Sequence, residues 1–184
     1  MASDKATNDS TIRDMIAEWV FLEFWHSDIR PSDEFHFEYI QALMNLAGAD
    51  GVLADEERKW ILGNQAAKGT DDDVLNHFKT YMPTKADLDA MIADKPKFTE
   101  AARRSLIFEA FLAACADNDL NEAERDAINR MGRAMGMDDT LLQQLEHAAI
   151  KERIHRRQVV DLVFPQGLKN ACDLAQIDLK KNQA

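Results

Sequence analysis

Residues 47 to 58 read Ala-Gly-Ala-Asp-Gly-Val-Leu-Ala-Asp-Glu-Glu-Arg, and residues 114 to 125 read Ala-Cys-Ala-Asp-Asn-Asp-Leu-Asn-Glu-Ala-Glu-Arg. The two segments align without a gap when the chain is shifted by 67 residues against itself, and matches continue to Leu75 and Leu142. A gapless internal match of this kind is typical of a repeated structural unit. The sequence therefore predicts two similar helical hairpins, over residues 41–79 and 108–146, related by a pseudo-two-fold axis.

Composition favours helices over strands along the whole chain. Of 184 residues, 46% are hydrophobic and only seven are Gly and four Pro, while Ala, Leu, Met and Glu are frequent. These residues prefer helices, and a chain of this length can bury its own core without disulfides or metals. We expect a single all-α globular domain over residues 10–180, preceded by a flexible N-terminus at residues 1–9. One more amphipathic segment is expected after Pro165.

Local signals predict where several helices begin and end. A Thr followed three residues later by an Asp is typical of a capping box, which predicts helix starts at Thr11 and Thr84. Ser32 and Thr70 predict two further starts. Glycine readily takes the left-handed conformation that closes a helix, so Gly51 marks the end of the helix that precedes it.

Charge restricts the classes of partner. Lys and Arg number 22 against 33 Asp and Glu, a formal net charge of -11, which repels phosphate backbones and anionic lipid headgroups. We therefore expect no nucleic-acid binding. Residues 151–157, Lys-Glu-Arg-Ile-His-Arg-Arg, form a local basic segment, which is interpreted as the solvated face of a helix.

The sequence also favours a cytoplasmic protein. The N-terminus has no apolar signal region, and the apolar stretch at residues 19–25 contains Glu23 and is too short to cross a bilayer, so no membrane insertion is expected. Cys115 lies in an apolar run, where a small buried thiol is the usual interpretation. Both Cys115 and Cys172 are expected to be reduced.

Residues 49–57 (Ala-Asp-Gly-Val-Leu-Ala-Asp-Glu-Glu) and 116–124 (Ala-Asp-Asn-Asp-Leu-Asn-Glu-Ala-Glu) resemble the signature of the TerB-like family, which is associated with bacterial tellurite resistance and general stress response. The resemblance covers roughly residues 35 to 150. It implies an all-helical fold of two similar halves, with divalent metal bound at acidic residues on one surface. Two positions depart from the signature. Asn118 stands where Gly is usual, and Ala54 stands where a hydroxyl usually caps the next helix.

The repeated carboxylates are candidates for a hard-cation site. An EF-hand would need oxygen ligands where the first segment has Leu46 and Gly48, so this segment is no ordinary EF-hand. Carboxylates that lie close together are unfavourable unless protons or cations neutralise them. Every candidate ligand is a hard oxygen, which makes Ca²⁺ the first candidate among divalent cations. The candidate metal ligands are Asp50, Asp55, Glu57, Asp117, Asp119, Glu122 and Glu124.

The same carboxylates also fit a structural role. A Glu at the third helical position can accept a hydrogen bond from the cap amide, which suits Glu57 and Glu124. Asp50 and Asp117 fit less well, because the helix dipole disfavours a carboxylate near a helix C-terminus. Each of these aspartates is expected to have a partner, either a cation or the free amides of the next helix.

Two other groups of residues suggest further functions. The pairs Glu23/His26 and Glu152/His155 have the Glu-x-x-His spacing of di-iron sites in four-helix proteins, so a ferritin-like protein is an alternative. An aromatic group either lines a hydrophobic ligand pocket or belongs to the core. That group comprises Trp19, Phe21, Phe24, Trp25, Phe35, Phe37 and Tyr39.

The leading hypothesis is a TerB-like acidic domain that binds a divalent cation and acts as a stress-response or scaffold component. A metal-independent module that docks on a protein partner is the first alternative. The sequence contains no Gly-rich phosphate loop and no closed zinc-ligand cluster. No enzymatic activity is therefore expected.

Overall fold

The computed structural model describes residues 11–28, 30–117 and 120–170, and these residues form eight helices and no strand. The all-α prediction is confirmed. The predicted flexible N-terminus, Asp119, Cys172 and most of the segment after Pro165 lie outside the described residues. The helices are α1 (Ile12–Trp25), α2 (Asp33–Ala47), α3 (Asp55–Ala67), α4 (Asp72–Phe78), α5 (Lys85–Ala93), α6 (Glu100–Ala114), α7 (Glu122–Ala134) and α8 (Asp139–Val163).

The internal repeat of the sequence is a repeat of structure. Helices α2 and α3 become α6 and α7 when 67 is added to each of their boundaries, and α4 and α8 begin at equivalent positions. Gly69 and Gly136 are equivalent too, and both take the left-handed conformation, at φ values of 86° and 89°. The third helices differ in length, because α4 ends at Phe78 whereas α8 continues to Val163. The repeated unit begins at residue 33, which is earlier than the sequence comparison indicated.

The core lies around α2 and α6, the first helices of the two repeats. These helices pack against each other, and each also packs against the second helix of its own repeat. In α2 every residue from Tyr39 to Ala47 except Gln41 is buried, and in α6 so is every residue from Leu106 to Ala114 except Phe108. A helix that is buried on most of its circumference belongs at the centre of a domain. The two acidic segments follow directly from these central helices.

Helix starts agree with the predicted caps at three positions. Thr11 Oγ1 accepts a hydrogen bond from the Asp14 amide over 3.2 Å, and Ser32 and Thr84 cap α2 and α5 in the same way. The prediction at Thr70 is wrong, because α4 is capped by Asp71. The Thr70 hydroxyl is buried instead, 2.9 Å from His36 Nδ1.

Helix α1 and the C-terminal part of α8 are largely exposed. Helix α1 packs mainly on α3 and has only Ala17 and Val20 fully inside. All residues of α8 from Ile154 to Val163 are exposed, so the end of this helix projects from the body of the domain. None of the described helices combines the length and the apolar character needed to cross a bilayer.

Candidate functional site

Two loops that follow the central helices form the candidate site. We call residues 48–54 the first acidic loop, and the described residues 115–117 and 120–121 the second. Asp50 connects them, since its Oδ2 accepts a hydrogen bond from Asn121 Nδ2 over 2.9 Å. Its Oδ1 accepts from the Val52 amide over 2.8 Å, which closes a tight turn at Gly51, where φ is 99°. Asp50 therefore has two hydrogen-bond donors, the backbone amide of Val52 in its own loop and the side-chain amide of Asn121 in the other repeat, and neither is a free amide of the next helix.

Two glutamates lie buried behind these loops. Glu57 is 1% exposed and Glu124 is 4% exposed. Glu57 Oε2 accepts the Ala54 amide hydrogen over 2.8 Å, and Glu124 Oε2 accepts the Asn121 amide hydrogen over 3.2 Å. The capping interpretation is thus confirmed for both glutamates, which satisfy backbone donors at the starts of α3 and α7.

The two caps differ in one respect that the sequence predicts. Asn121 Oδ1 accepts the Glu124 amide hydrogen over 3.0 Å, so the capping box of α7 is complete. At the equivalent place in α3, Ala54 has no side-chain acceptor, and the cap consists of Glu57 alone. Helix α3 therefore begins with one fewer side-chain bond than α7.

Glu57 is in an unfavourable place for an ionised carboxylate. Its Oε1 is buried, and no donor among the described residues reaches it. The pKa of Glu57 is raised to about 8, mainly by burial and also by the negative charges of Glu124, Asp117 and Asp50, against the opposing hydrogen bond from the Ala54 amide. Without a cation nearby, Glu57 binds a proton at neutral pH.

The predicted metal ligands separate into two groups. Asp50, Asp117 and Glu124 act electrostatically on Glu57, so these four carboxylates share one neighbourhood. Asp55 and Glu122 are exposed in the first turns of α3 and α7, where the helix dipole favours acidic residues.

Hard oxygen donors and a buried, unpartnered carboxylate oxygen suit a divalent cation. Among the residues that the structure describes, no three His, Cys, Asp or Glu side chains converge as metal ligands do. The metal role of these residues stays a prediction.

The residues of the proposed di-iron site are at the periphery. His26 ends α1 in the left-handed conformation, with φ of 49°, and both it and Glu23 are exposed. His155 is exposed on the projecting part of α8. Di-iron ligands project into the interior of a helical bundle, so this arrangement gives the ferritin-like hypothesis no support.

The predicted aromatic group divides between the core and a groove. Tyr39 is 3% exposed, and Phe35 and Phe37 pack against the core. Trp19, Phe24 and Trp25 line a groove of about 750 Å³ between α1, α3, α6 and α8. Two more aromatic side chains, Trp60 and Phe108, line this groove and were not predicted from the sequence.

A buried ion pair lies beside this groove, which one of its members, Glu109, lines. The sequence did not predict this pair. Lys68 Nζ pairs with Glu109 Oε1, and their side chains are 7% and 2% exposed. Asn64 and Gln65 donate to Glu109 Oε2 over 3.2 and 3.3 Å. This pair could have been predicted from a single carboxylate, Glu109, inside the apolar run of α6, since a buried charge needs a partner.

Cys115 is less buried than the sequence predicts. Cys115 is a free thiol at the end of α6, but it is only partly buried. Burial raises the pKa of the thiol, which is opposed by the charge of Arg153. Arg153 donates to the carbonyls of Cys115 and Ala116 over 2.9 and 3.0 Å, so α8 holds the second acidic loop in place.

Comparison with known proteins places this architecture among relatives. A family described as "Protein of unknown function (DUF533)" matches residues 8–149. Among solved structures, a tellurite resistance protein from Nostoc punctiforme is 30% identical, with a TM-score of 0.72, over 85% of this chain and 97% of that chain. A search of curated proteins gave no significant match.

Proposed function

Because the chain belongs to the DUF533 family and shares its fold with a TerB-like tellurite resistance protein, we propose that it is a stress-response domain whose acidic loops bind a divalent cation. Ca²⁺ is the first candidate, since the available donors are carboxylate oxygens. The residues that would hold the cation are Glu57 and the three carboxylates around it, Asp50, Asp117 and Glu124, which would have to draw closer together on binding because no three of them converge in the structure.

The observation that supports this proposal is the state of Glu57. Its Oε1 is buried without a donor, and its pKa of about 8 leaves it protonated at neutral pH. A divalent cation supplies the positive charge that this group of carboxylates lacks. Glu57 can then ionise without the repulsion that otherwise raises its pKa.

Cation binding would change how firmly the two repeats are held together. The acidic loops join α2 to α3 and α6 to α7, and the contact between Asp50 and Asn121 already ties one loop to the other. Neutralising the carboxylates would reduce the repulsion between the loops and stiffen them. A partner that contacts this surface would then meet a different charge and a more rigid shape.

Thermal unfolding of metal-stripped protein tests the proposal. Ca²⁺, Mg²⁺ or Zn²⁺ at 100 times its dissociation constant should stabilise the native chain by about 2.7 kcal/mol. The double variant Asp50→Asn with Asp117→Asn should lose this shift. A matched control, Asp73→Asn with Asp94→Asn, removes two exposed charges away from the acidic loops and should keep it.

Proton release gives a second measurement of the same site. If Glu57 must lose its proton to accept a cation, the association constant should rise about tenfold per pH unit below pH 8 and level off above it. Calorimetric titration at several pH values measures this slope. A shift that survives in the Asp50/Asp117 variant, or no shift with any of the three cations, would refute the proposal.

The metal-independent interaction module is the second candidate function. In its favour, Glu57 and Glu124 already satisfy cap amides, and Asp50 already has hydrogen-bond donors. In this case the acidic loops would contact a basic partner directly. Binding to that partner would then be unchanged by chelators and would weaken with rising salt concentration.

A further inference from the structure

Helix α1 carries apolar side chains both inside the domain and at its surface. It packs on the domain through Ala17 and Val20, which are 0% and 6% exposed. Other large apolar side chains at helical spacing are exposed, and we call them the α1 stripe. The α1 stripe consists of Ile12 (77% exposed), Met15 (60%), Ile16 (46%), Trp19 (56%), which borders the groove between α1 and α8, and Leu22 (48%). Large apolar side chains grouped on the exposed surface of one helix are typical of an interaction site.

The projecting part of α8 presents a second apolar surface. We call residues 154–163 the α8 end. It is exposed throughout, and its apolar members are Ile154, Val159, Val160, Leu162 and Val163, which are 42% to 82% exposed. Val159, Val160 and Val163 follow Arg156 at helical spacing and therefore share its face. Contiguous exposed apolar surface of this kind is typical of a protein interface.

The α8 end begins close to α1. Arg156 stands over the ring of Phe24 with its guanidinium carbon 5.7 Å from the ring centroid, so the α8 end begins beside the C-terminal part of α1. Two different surfaces that adjoin in one protomer can each meet the other across a two-fold axis.

The charges beside the two surfaces are complementary. Helix α1 carries the exposed carboxylates Glu18 and Glu23, whereas the α8 end carries Arg156 and Arg157, of which Arg156 also pairs with Glu152 of its own helix. In a chain of net charge -11 this basic segment is a local exception. Pairing α1 with α1 would set Glu18 and Glu23 against their own copies. Pairing α1 with the α8 end sets carboxylates against guanidinium groups.

We propose that the protein forms a symmetric dimer in which the α1 stripe of each protomer packs on the α8 end of its partner. The occupant of both surfaces is thus a second copy of this chain. The proposal does not depend on cation binding, because neither surface includes the acidic loops.

The mass in solution tests the dimer directly. Sedimentation equilibrium of the full chain should give twice the protomer mass of 20.9 kDa. The variant Met15→Glu with Trp19→Glu should sediment as a protomer, since it places two charges in the α1 stripe. Met82→Glu is the control, because Met82 is also exposed (64%) but lies outside both helices. This control should remain dimeric.

Charge reversal tests which surfaces meet. Glu18→Lys with Glu23→Lys should weaken the dimer at least tenfold, and so should Arg156→Glu with Arg157→Glu. Mixing these two variants should restore both contacts, because one contact then joins the new lysines with the new glutamates and the other joins the native glutamates with the native arginines. One chain that carries all four changes should dimerise as well. Circular dichroism of each variant confirms that the helices are retained.

Three outcomes would overturn the proposal. The first is a native chain that stays a protomer when its concentration in the sedimentation experiment is raised 100-fold. The second is a dimer that the two α1 stripe substitutions leave intact. The third is a full-length chain that stays a protomer and dimerises only after it is shortened to end at residue 170. That result would mean that the C-terminal segment, and not a second copy, covers the two surfaces.

Discussion

Asp50 of the first acidic loop and Asn121 of the second are joined by a hydrogen bond of 2.9 Å, although 71 residues separate them in the chain. The contact links the end of one repeated helix with the start of another. Asn121 also caps α7 through the Glu124 amide, so its side chain serves two connections at once.

Replacing Asn121 by Ala should therefore cost more than the loss of an ordinary cap. A cap substitution alone costs about 1 kcal/mol, and the lost bond to Asp50 adds to it, so we expect about 1–2 kcal/mol. Urea denaturation measures the change. Asn129→Ala, in the same helix but away from its start, should change stability by less than about 0.5 kcal/mol.

The equivalent position in the first repeat allows the opposite experiment. Ala54 has extended backbone geometry, with φ of -63° and ψ of 151°, and lacks a side-chain acceptor. Ala54→Ser should supply one and stabilise the protein by about 1 kcal/mol. Ala54→Val has the same backbone position but no acceptor, so it should not stabilise. Equal midpoints for the Ser and Val variants would contradict the cap argument.

The raised pKa of Glu57 makes stability depend on pH in an unusual direction. In the unfolded chain Glu57 titrates near 4.5, and in the folded protein near 8, so the folded state binds the extra proton between these values. Its contribution to stability is fully present below about pH 4.5 and is lost as pH rises through about 8. A shift of this size corresponds to on the order of a few kcal/mol.

Glu57→Gln should remove that dependence. Gln keeps an acceptor for the Ala54 amide but has no carboxyl group to ionise. In metal-free buffer the variant should lose less stability than the native protein between pH 5 and pH 8.5, as measured by urea denaturation. Glu56→Gln changes an exposed neighbour and should behave like the native chain. Parallel pH profiles for Glu57→Gln and the native protein would show that Glu57 ionises normally.

The buried ion pair gives a prediction about stability alone. Lys68→Met leaves Glu109 as a buried carboxylate without its cation, next to the amides of Asn64 and Gln65 and the side chain of Tyr39. Removing one member of such a pair costs about 3–5 kcal/mol. Lys59→Met, which changes an exposed lysine of α3, is the control and should change stability little. Similar midpoints for the two variants would show that the pair is not buried in solution.

Two helical glycines should respond oppositely to Ala. A Cβ at Gly63 meets no atom within 4 Å, so Gly63→Ala should stabilise α3 by up to about 1 kcal/mol. A Cβ at Gly132 would collide with the Leu142 side chain, and overpacking of this kind costs about 1–3 kcal/mol. Thermal unfolding of the two variants should therefore move the midpoint in opposite directions.

The repeat was the part of the fold that the sequence made most accessible. A constant shift of 67 residues aligned the acidic segments, and the same shift relates α2 with α6 and α3 with α7. The caps at Thr11, Ser32 and Thr84 were predicted correctly, because each of these side chains bonds within its own first turn. The prediction at Thr70 was wrong because its hydroxyl forms a hydrogen bond with the ring of a distant residue, His36.

The sequence by itself determined the helical class, the repeated hairpin and the positions of the acidic segments, because helix periodicity and caps depend on neighbours along the chain. Only the tertiary structure decided that Glu57 is buried beside Asp50 and Asp117, that Lys68 pairs with Glu109, and that α1 keeps an exposed apolar stripe. Burial and the electrostatics that follow from it depend on which distant segments pack together. A local pattern records the type of each residue, whereas the surroundings that set its pKa and its exposure come from the packed fold.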